Sequence, residues 1–190
     1  MSNVGLYLGT FNPIHNGHVI LAEYFSKLSE LDEILVVISP QSPFKKESKL
    51  INDKDRLKMA ETVFKKFDNV KVSDIEFKMS KPNFTIDTLK EFKKRHRYNN
   101  LILLIGEDNL IGFNKWKDYK KIIEIAEVYV YPRDTDQKIP DEILSNNNIR
   151  LVDAPKIKIS SSRIRELIKS KQSIDSMVPK EVMKFLKLNN

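Results

Sequence analysis

A doubly wound parallel α/β sheet is the fold this 190-residue chain predicts, and three observations carry that expectation. Short apolar runs recur along the chain, helix-period segments lie between them, and the size suits one core. Leu6-Tyr7-Leu8, Ile34-Leu35-Val36-Val37-Ile38, Leu101-Ile102-Leu103-Leu104-Ile105 and Val128-Tyr129-Val130-Tyr131 are unbroken and rich in β-branched or aromatic residues. Unbroken runs suit strands covered on both faces, as in a parallel sheet. Val70-Lys71-Val72 and Ile149-Arg150-Leu151-Val152 are weaker strand segments of the same kind. Between them, His18–Leu28, Asp53–Phe67 and Thr85–Arg95 place apolar residues at helical spacing, for example Leu57, Ala60, Val63, Phe64 and Phe67. Strand–helix alternation of this kind is the signature of a doubly wound, Rossmann-like sheet. Arg133–Asn148 is polar and reads as loop, and from about Ser160 the chain reads as helical. Residues 1–190 are expected to form a single domain with a small helical C-terminal part.

Composition narrows the chemistry. The chain has 41% hydrophobic and 31% charged residues, the balance of an ordinary globular protein with enough length to bury a core. No Cys is present, which removes disulfides, thiolate metal sites and Cys nucleophiles together. No apolar run approaches the ~18–20 residues of a membrane span. No basic segment precedes an apolar one at the N-terminus, so the expected setting is the cytoplasm. Of the net charge of +7, +6 falls within Lys156–Asn190, with nine Lys/Arg against three Asp/Glu. A basic end suits nucleic acid or phosphorylated small molecules, or is simply solvated lysine surface. Stacking on nucleic-acid bases needs aromatics, and this stretch has only Phe185.

Ligands of open parallel sheets bind beyond the C-terminal strand ends. Glycine is scarce, five in all, and two follow strand segments directly: Gly9 and Gly106. That placement suggests backbone brought close to a ligand. After the first strand runs Gly9-Thr10-Phe11-Asn12-Pro13-Ile14-His15-Asn16-Gly17-His18, opening a helix whose first N–H groups and dipole favour phosphate. Two of the chain's three His, His15 and His18, fall on one side of that first turn, with Gly17 between them to leave room for a ligand. Unrelated histidines or a zinc pair are the competing readings, the latter lacking a third ligand nearby. Neither a Walker loop nor G-x-G-x-x-G occurs. At the other end, Ile159-Ser160-Ser161-Ser162-Arg163-Ile164-Arg165 offers hydroxyls to cap a helix or meet anionic oxygens, and Arg165 one turn in suits bidentate phosphate contact. A Ser-capped surface helix is the plain alternative.

His15-Asn16-Gly17-His18 resembles the His-x-Gly-His signature of the nucleotidylyltransferase superfamily, and Ile159–Arg165 resembles its Ile-Ser-Ser-Thr-x-Ile-Arg motif, with Ser162 in place of Thr. Phe84-Thr85-Ile86-Asp87-Thr88-Leu89 resembles the Tyr-Thr-x-Asp-Thr-Leu motif of nicotinate-mononucleotide adenylyltransferases. Gly106-Glu107-Asp108 with Trp116, the Ser39–Lys45 loop, Asp55-Arg56-Leu57-x-Met59 and Val178-Pro179-x-x-Val182 fit the same group. The resemblance implies transfer of AMP from ATP to nicotinate mononucleotide, giving deamido-NAD (nicotinate adenine dinucleotide) and pyrophosphate. It implies an ATP site made by Gly9, Thr10, Phe11, His15, His18, Gly106, Asp108, Ser160, Ser161, Ser162 and Arg165. It implies an acceptor site made by Lys45, Thr85, Asp108, Trp116 and Arg133, with His15, His18, Lys45 and Arg165 as catalytic groups. Mg²⁺ is expected to ride on ATP, since no carboxylate cluster for a protein-held metal is evident.

Physical chemistry supports several of those roles independently. Trp116, the one Trp, can stack a pyridine ring, and its neighbours Lys115 and Lys117 place it on a loop or surface helix. Thr85 at a helix start presents a hydroxyl and N–H groups to a carboxylate; Asp108, just past a buried strand, either accepts from ribose or caps the next helix. Departures from the pattern are Phe44 for His, Phe84 for Tyr, and Pro132-Arg133-Asp134 where Arg-Pro-Gly is usual. His96, in the basic run Lys93–Arg97, reads as surface. Competing functions are a pantetheine-phosphate or nicotinamide-mononucleotide adenylyltransferase and, remotely, a nucleic-acid-binding module. Small-molecule substrates without nucleic acid or membrane are the expected partners, with a homo-oligomer left open.

Overall fold

The computed structural model describes residues 1–40, 51–95 and 100–188. In chain order the elements are β1 (Asn3–Gly9), α1 (Asn16–Ser26), β2 (Glu33–Ile38), α2 (Asp53–Phe64), β3 (Val70–Ser73), α3 (Thr85–Arg95) and β4 (Asn100–Gly106). There follow α4 (Glu107–Leu110), α5 (Tyr119–Ile125), β5 (Ala126–Tyr131), α6 (Asp141–Leu144), β6 (Ile149–Leu151), α7 (Ser161–Lys169) and α8 (Lys180–Leu188). Single 3₁₀ turns lie at Ile75–Lys78 and Phe113–Lys115.

Every strand pairing is parallel, in the order β3-β2-β1-β4-β5-β6. Register is in step across the centre, where Leu6 lies opposite both Leu35 and Leu103. Both faces are covered, and this explains the unbroken apolar runs. In β4, Leu101, Leu103 and Ile105 pack with Ile86, Leu89 and Phe92 of α3 and Ile122 of α5. Ile102 and Leu104 point the other way, into a core with Leu21 and Phe25 of α1, Val63 and Phe64 of α2, and Ile164 of α7. Alternation is present but masked by two-sided burial.

All six expected strand segments are strands, and the helices differ at their ends. Helix α1 starts at Asn16 because His15 caps it, and ends at Ser26. Helix α2 opens under Asn52, whose side chain accepts from Asp55 N–H at 2.9 Å, with Asp53 and Asp55 in the favourable first turn. It stops at Phe64, short of the expected Phe67, where a turn closes with Phe67 N–H on the Phe64 carbonyl; Phe67 still packs on the core. Within the expected loop 133–148 lies the single-turn helix α6. The C-terminal part is helical as expected, α7 then α8. It folds back on the chain start: Asn16 donates N–H to Met177 O at 2.8 Å and Nδ2 to Ser176 O at 2.9 Å.

Strand order reverses between β1 and β4. Their C-terminal ends, Gly9 and Gly106, therefore open a crevice at the switch point.

Candidate active site

That crevice is a cavity of about 450 Å³, within the usual range of a small-molecule site. Its wall includes Gly9, Thr10, Phe11, His15, His18, Thr85, Asp108, Trp116, Arg133, Ser160, Ser161, Ser162 and Arg165. Thirteen of the residues chosen from sequence thus surround one space, drawn from both ends and the middle of the chain. Gly106 is not on the wall. A Cβ there would strike Asp108 Oδ1 and, at 2.9 Å, Arg133 Cγ, so its missing side chain makes room for two wall residues. Gly17 works similarly: the space expected for a ligand is filled by the Ile157 side chain. Lys45 and Phe44, like His96, lie outside the described residues.

The histidine turn is locked from within. His15 caps α1, its Nδ1 accepting His18 N–H at 3.3 Å, while His18 Nδ1 accepts His15 N–H at 3.2 Å. The rings stack with centroids 3.5 Å apart and planes 17° from parallel. A ring whose Nδ1 accepts must carry its neutral-state proton on Nε2, so both donors are turned away from the backbone. Burial, then the positive charge of Arg133, lowers the His15 pKa to about 3. His15 is therefore a neutral donor near pH 7. The loop before it contains Phe11 at φ 47°, a left-handed conformation that costs a bulky residue on the order of 1–3 kcal/mol. Its ring meets His18 edge-on at 4.9 Å and Tyr7 at 5.4 Å.

Helix α7 joins this turn across nearly the full chain length. Arg165 donates from Nη1 to the Asn12 carbonyl at 2.8 Å and from Nη2 to Ser162 Oγ at 3.0 Å. Ser161 Oγ donates to the Pro13 carbonyl at 3.0 Å, and Ser160 Oγ caps the helix by accepting Arg163 N–H at 3.2 Å. Of the three hydroxyls expected to face anions, Ser161 spends its proton on Pro13 and Ser160 its acceptor on the cap. Arg165 stands with its fork held at the cavity wall.

The wall residues Thr85, Asp108 and Trp116 stand on element ends and turns. Thr85 is the first residue of α3, whose leading N–H groups have no partner within the helix. Trp116 follows the 113–115 turn, half-buried, its ring tilted on Phe113 at 5.2 Å. Lys117 pairs with Asp87 at 2.9 Å and lies over the Phe84 ring at 4.6 Å. The cap of α4 is Gly106, so Asp108 sits in the first turn rather than at the cap; it faces Arg133 at 3.9 Å. Arg133 also donates to the Ile157 carbonyl at 2.9 Å, and its backbone N–H goes to Glu107 at 2.8 Å. Arg133 lines the cavity although the order of Arg and Pro departs from the family pattern.

Three features escaped the sequence. Tyr7 and Tyr131 hydrogen-bond to each other inside the wall, where burial raises both hydroxyls, Tyr131 to about 12 with the Asp108 charge adding to the effect. Glu76, on the wall yet 2% exposed, takes a hydrogen bond from Thr88 Oγ1 at 2.7 Å and another from Ser39; burial raises its pKa. Arg56 is wholly buried beneath the loops. Tyr7, Tyr131 and Glu76 stand in no spacing pattern, and Arg56 enters only as part of Asp55-Arg56-Leu57-x-Met59, a spacing that gives no sign of its burial. Among the described residues no three or more His, Asp or Glu come together as a metal site, and no helix is long and apolar enough to cross a membrane.

Comparison with known proteins agrees with this geometry. The sequence model of the family described as Cytidylyltransferase-like matches residues 6–167. A Flavobacterium johnsoniae protein named "probable nicotinate-nucleotide adenylyltransferase" is 40% identical over 187 residues, covering 98% of this chain and 97% of its own length. A protein of the same name from Christiangramia forsetii is 42% identical over 183 residues, covering 96% and 94%. Among solved structures, the Plasmodium falciparum nicotinic acid mononucleotide adenylyltransferase complexed with NaAD superposes with a TM-score of 0.84. It covers all of this chain and 97% of that one at 22% identity, a likeness of fold. The chain belongs to the cytidylyltransferase-like family, within the nicotinate-nucleotide adenylyltransferases.

Proposed function

We propose that this chain joins ATP and nicotinate mononucleotide to give nicotinate adenine dinucleotide and pyrophosphate, in NAD biosynthesis. The observation that carries the reading is the interlock of the His15–His18 turn with the Ser160–Arg165 helix start. That interlock stands across one cavity from Thr85 and Trp116. A phosphate end and an aromatic, donor-bearing end in a single space suit a triphosphate and a pyridine mononucleotide side by side.

In the reaction an oxygen of the acceptor phosphate attacks the α-phosphorus of ATP in line. The bond from that phosphorus to the bridging oxygen breaks, and its electron pair leaves on pyrophosphate. No protein nucleophile is required, and catalysis rests on positioning and on stabilising charge that grows on the leaving group. His15 and His18 serve as Nε2–H donors to phosphate oxygens; His15 acts neutral, given its depressed pKa, so the cationic share falls to Arg165 and Lys45. Gly9, Thr10 and Phe11 present backbone to the same phosphates. Thr85 and the first N–H groups of α3 meet the nicotinate carboxylate, Trp116 stacks on the ring, and Asp108 with Arg133 holds ribose and phosphate of the acceptor. ATP enters as its magnesium complex, with the metal belonging to the substrate, and the setting is the cytoplasm.

Pyrophosphate release from ATP, measured over a panel of acceptors, tests this reading. Nicotinate mononucleotide should be the fastest. Release supported by phosphopantetheine, with none from pyridine mononucleotides, would replace the acceptor assignment.

A further inference from the structure

Among the described residues Arg56 is the largest side chain to be completely removed from solvent, at 0% exposure, and it lies outside the cavity wall. Its guanidinium is spent on the backbone. Nη1 donates to the Thr10 carbonyl at 2.6 Å and the Ser39 carbonyl at 2.7 Å, Nη2 to the Pro40 carbonyl at 3.1 Å, and Nε to the Ile51 carbonyl at 3.0 Å. The one charged partner among the described residues, Asp53, meets Nη2 at 2.6 Å and is itself 37% exposed. Burying a cation for four neutral carbonyls and one half-open carboxylate is costly as a stability device, since an apolar side chain would fill that volume more cheaply. What the planar fork does, and no apolar group can do, is fix three backbone segments in one plane. Those segments are the loop after β1, the loop after β2 and the entry to α2.

The Thr10 bond has a definite consequence. The Thr10–Phe11 peptide is trans, so the Phe11 N–H points opposite to the Thr10 carbonyl. With the carbonyl drawn back to Arg56, that N–H is turned away from the protein interior behind the loop. Both Thr10 and Phe11 line the cavity, and Phe11 is held in its left-handed conformation by its ring contacts with Tyr7 and His18. The second carbonyl on Nη1, that of Ser39, belongs to another wall residue, whose N–H goes to the Gly9 carbonyl at 2.8 Å.

We propose that Arg56 is a positioning residue for adenylyl transfer: by holding the Thr10 carbonyl it aims the Phe11 N–H at the nucleotide phosphates. This rests on the reading of the cavity as an ATP site. Arg56 is absent from the cavity wall and reaches the site through backbone alone, at Thr10 and at Ser39, Pro40 and Ile51. The Thr10 bond is the one that sets the Phe11 N–H, so the larger part of its effect falls on ATP.

Arg56→Lys keeps the charge but replaces a rigid five-donor fork with one nitrogen. It should lower kcat/KM for ATP by about 10²-fold, the scale of an ångström-level misplacement, with a smaller rise in the acceptor KM. Asp53→Asn is the control: it removes the charged partner, lowers the Tm and leaves the ATP KM in place. The proposal is overturned by an Arg56→Lys enzyme with wild-type ATP kinetics, or by an Asp53→Asn enzyme with the same ATP defect. Thr10-Phe11 is the sole Thr-Phe pair in the sequence, so carbonyl-¹³C Thr with ¹⁵N Phe gives one cross-peak for that peptide. In wild type it should shift on adding pyrophosphate and stay in place on adding nicotinate mononucleotide. If the lysine variant does not fold, this cross-peak decides, and an unmoved peak in an enzyme that makes dinucleotide overturns the proposal while leaving the activity intact.

Discussion

At the end of the cavity proposed for phosphate the polar groups interlock across distant segments, whereas Thr85 and Trp116, proposed for the acceptor, stand on an element end and a short turn. His15 and His18 exchange N–H···Nδ1 bonds, and Arg165 and Ser161 reach the carbonyls of Asn12 and Pro13. Thr85 opens α3, Asp108 lies half-exposed in the single turn of α4, and Trp116 follows a 3₁₀ turn. A preorganised set lowers the barrier because its donors need no rearrangement when charge develops. On the proposed reading, the second set meets the ring and the carboxylate. Damage to the first set should appear in kcat, and damage to the second in the acceptor KM.

The comparison breaks most severely if His15 is not neutral. In the unfolded chain the ring titrates near its ordinary 6.5, and in the fold near 3. Between those values the unfolded chain binds the extra proton, so stability is complete above about pH 6.5 and is lost as pH falls toward 3. His15 alone accounts for a loss on the order of 4 kcal/mol across that window. Thermal unfolding from pH 7 to pH 4 should show a steep fall that His15→Gln flattens, and the His15 ring signals in NMR should stay constant from pH 8 to 5. Titration of His15 near pH 6.5 would contradict the locked turn.

His18→Ala comes next. Loss of one preorganised donor should lower kcat by about 10²–10³ with the circular dichroism of wild type retained. Near-normal turnover by the folded variant would move the phosphate end elsewhere. At the acceptor wall, Trp116→Ala should raise the acceptor KM about tenfold through lost stacking, leaving the ATP KM nearly unchanged. Equal rises for both substrates would make Trp116 a structural residue of the 113–116 turn. The smallest effect is expected from Thr85→Ala. It should narrow the preference for nicotinate over nicotinamide mononucleotide only partly, because the backbone N–H groups of α3 remain. A reversed preference would place selection wholly in the hydroxyl.

The phosphate end was also the more legible half. His15, His18, Ser160 and Arg165 sit in compact spacings because each set occupies one helix start, where local geometry and function coincide. The strands were legible as apolar runs for the same local reason. The rest depends on what lies opposite. Arg56 reads as a member of Asp55-Arg56-Leu57-x-Met59 with no role attached, and its burial depends on the Thr10, Ser39, Pro40 and Ile51 carbonyls that meet it in the fold. Tyr7 and Tyr131 belong to different strands, and β1, β4 and β5 must pair before they meet. Gly17 reads as an opening for ligand because sequence cannot show Ile157 filling it. Helices α4 and α6, four residues each, are too short for any period to register.

The central claim is that one cavity joins ATP to a mononucleotide chosen for its carboxylate. Its most direct test is a single reaction with ATP and equimolar nicotinate and nicotinamide mononucleotides, in which the initial ratio of dinucleotide products equals the ratio of kcat/KM. A hydrogen bond to a charged group contributes roughly 1.5–3 kcal/mol, so the acid product should exceed the amide product by at least ~10-fold. Equal amounts of the two dinucleotides would contradict it.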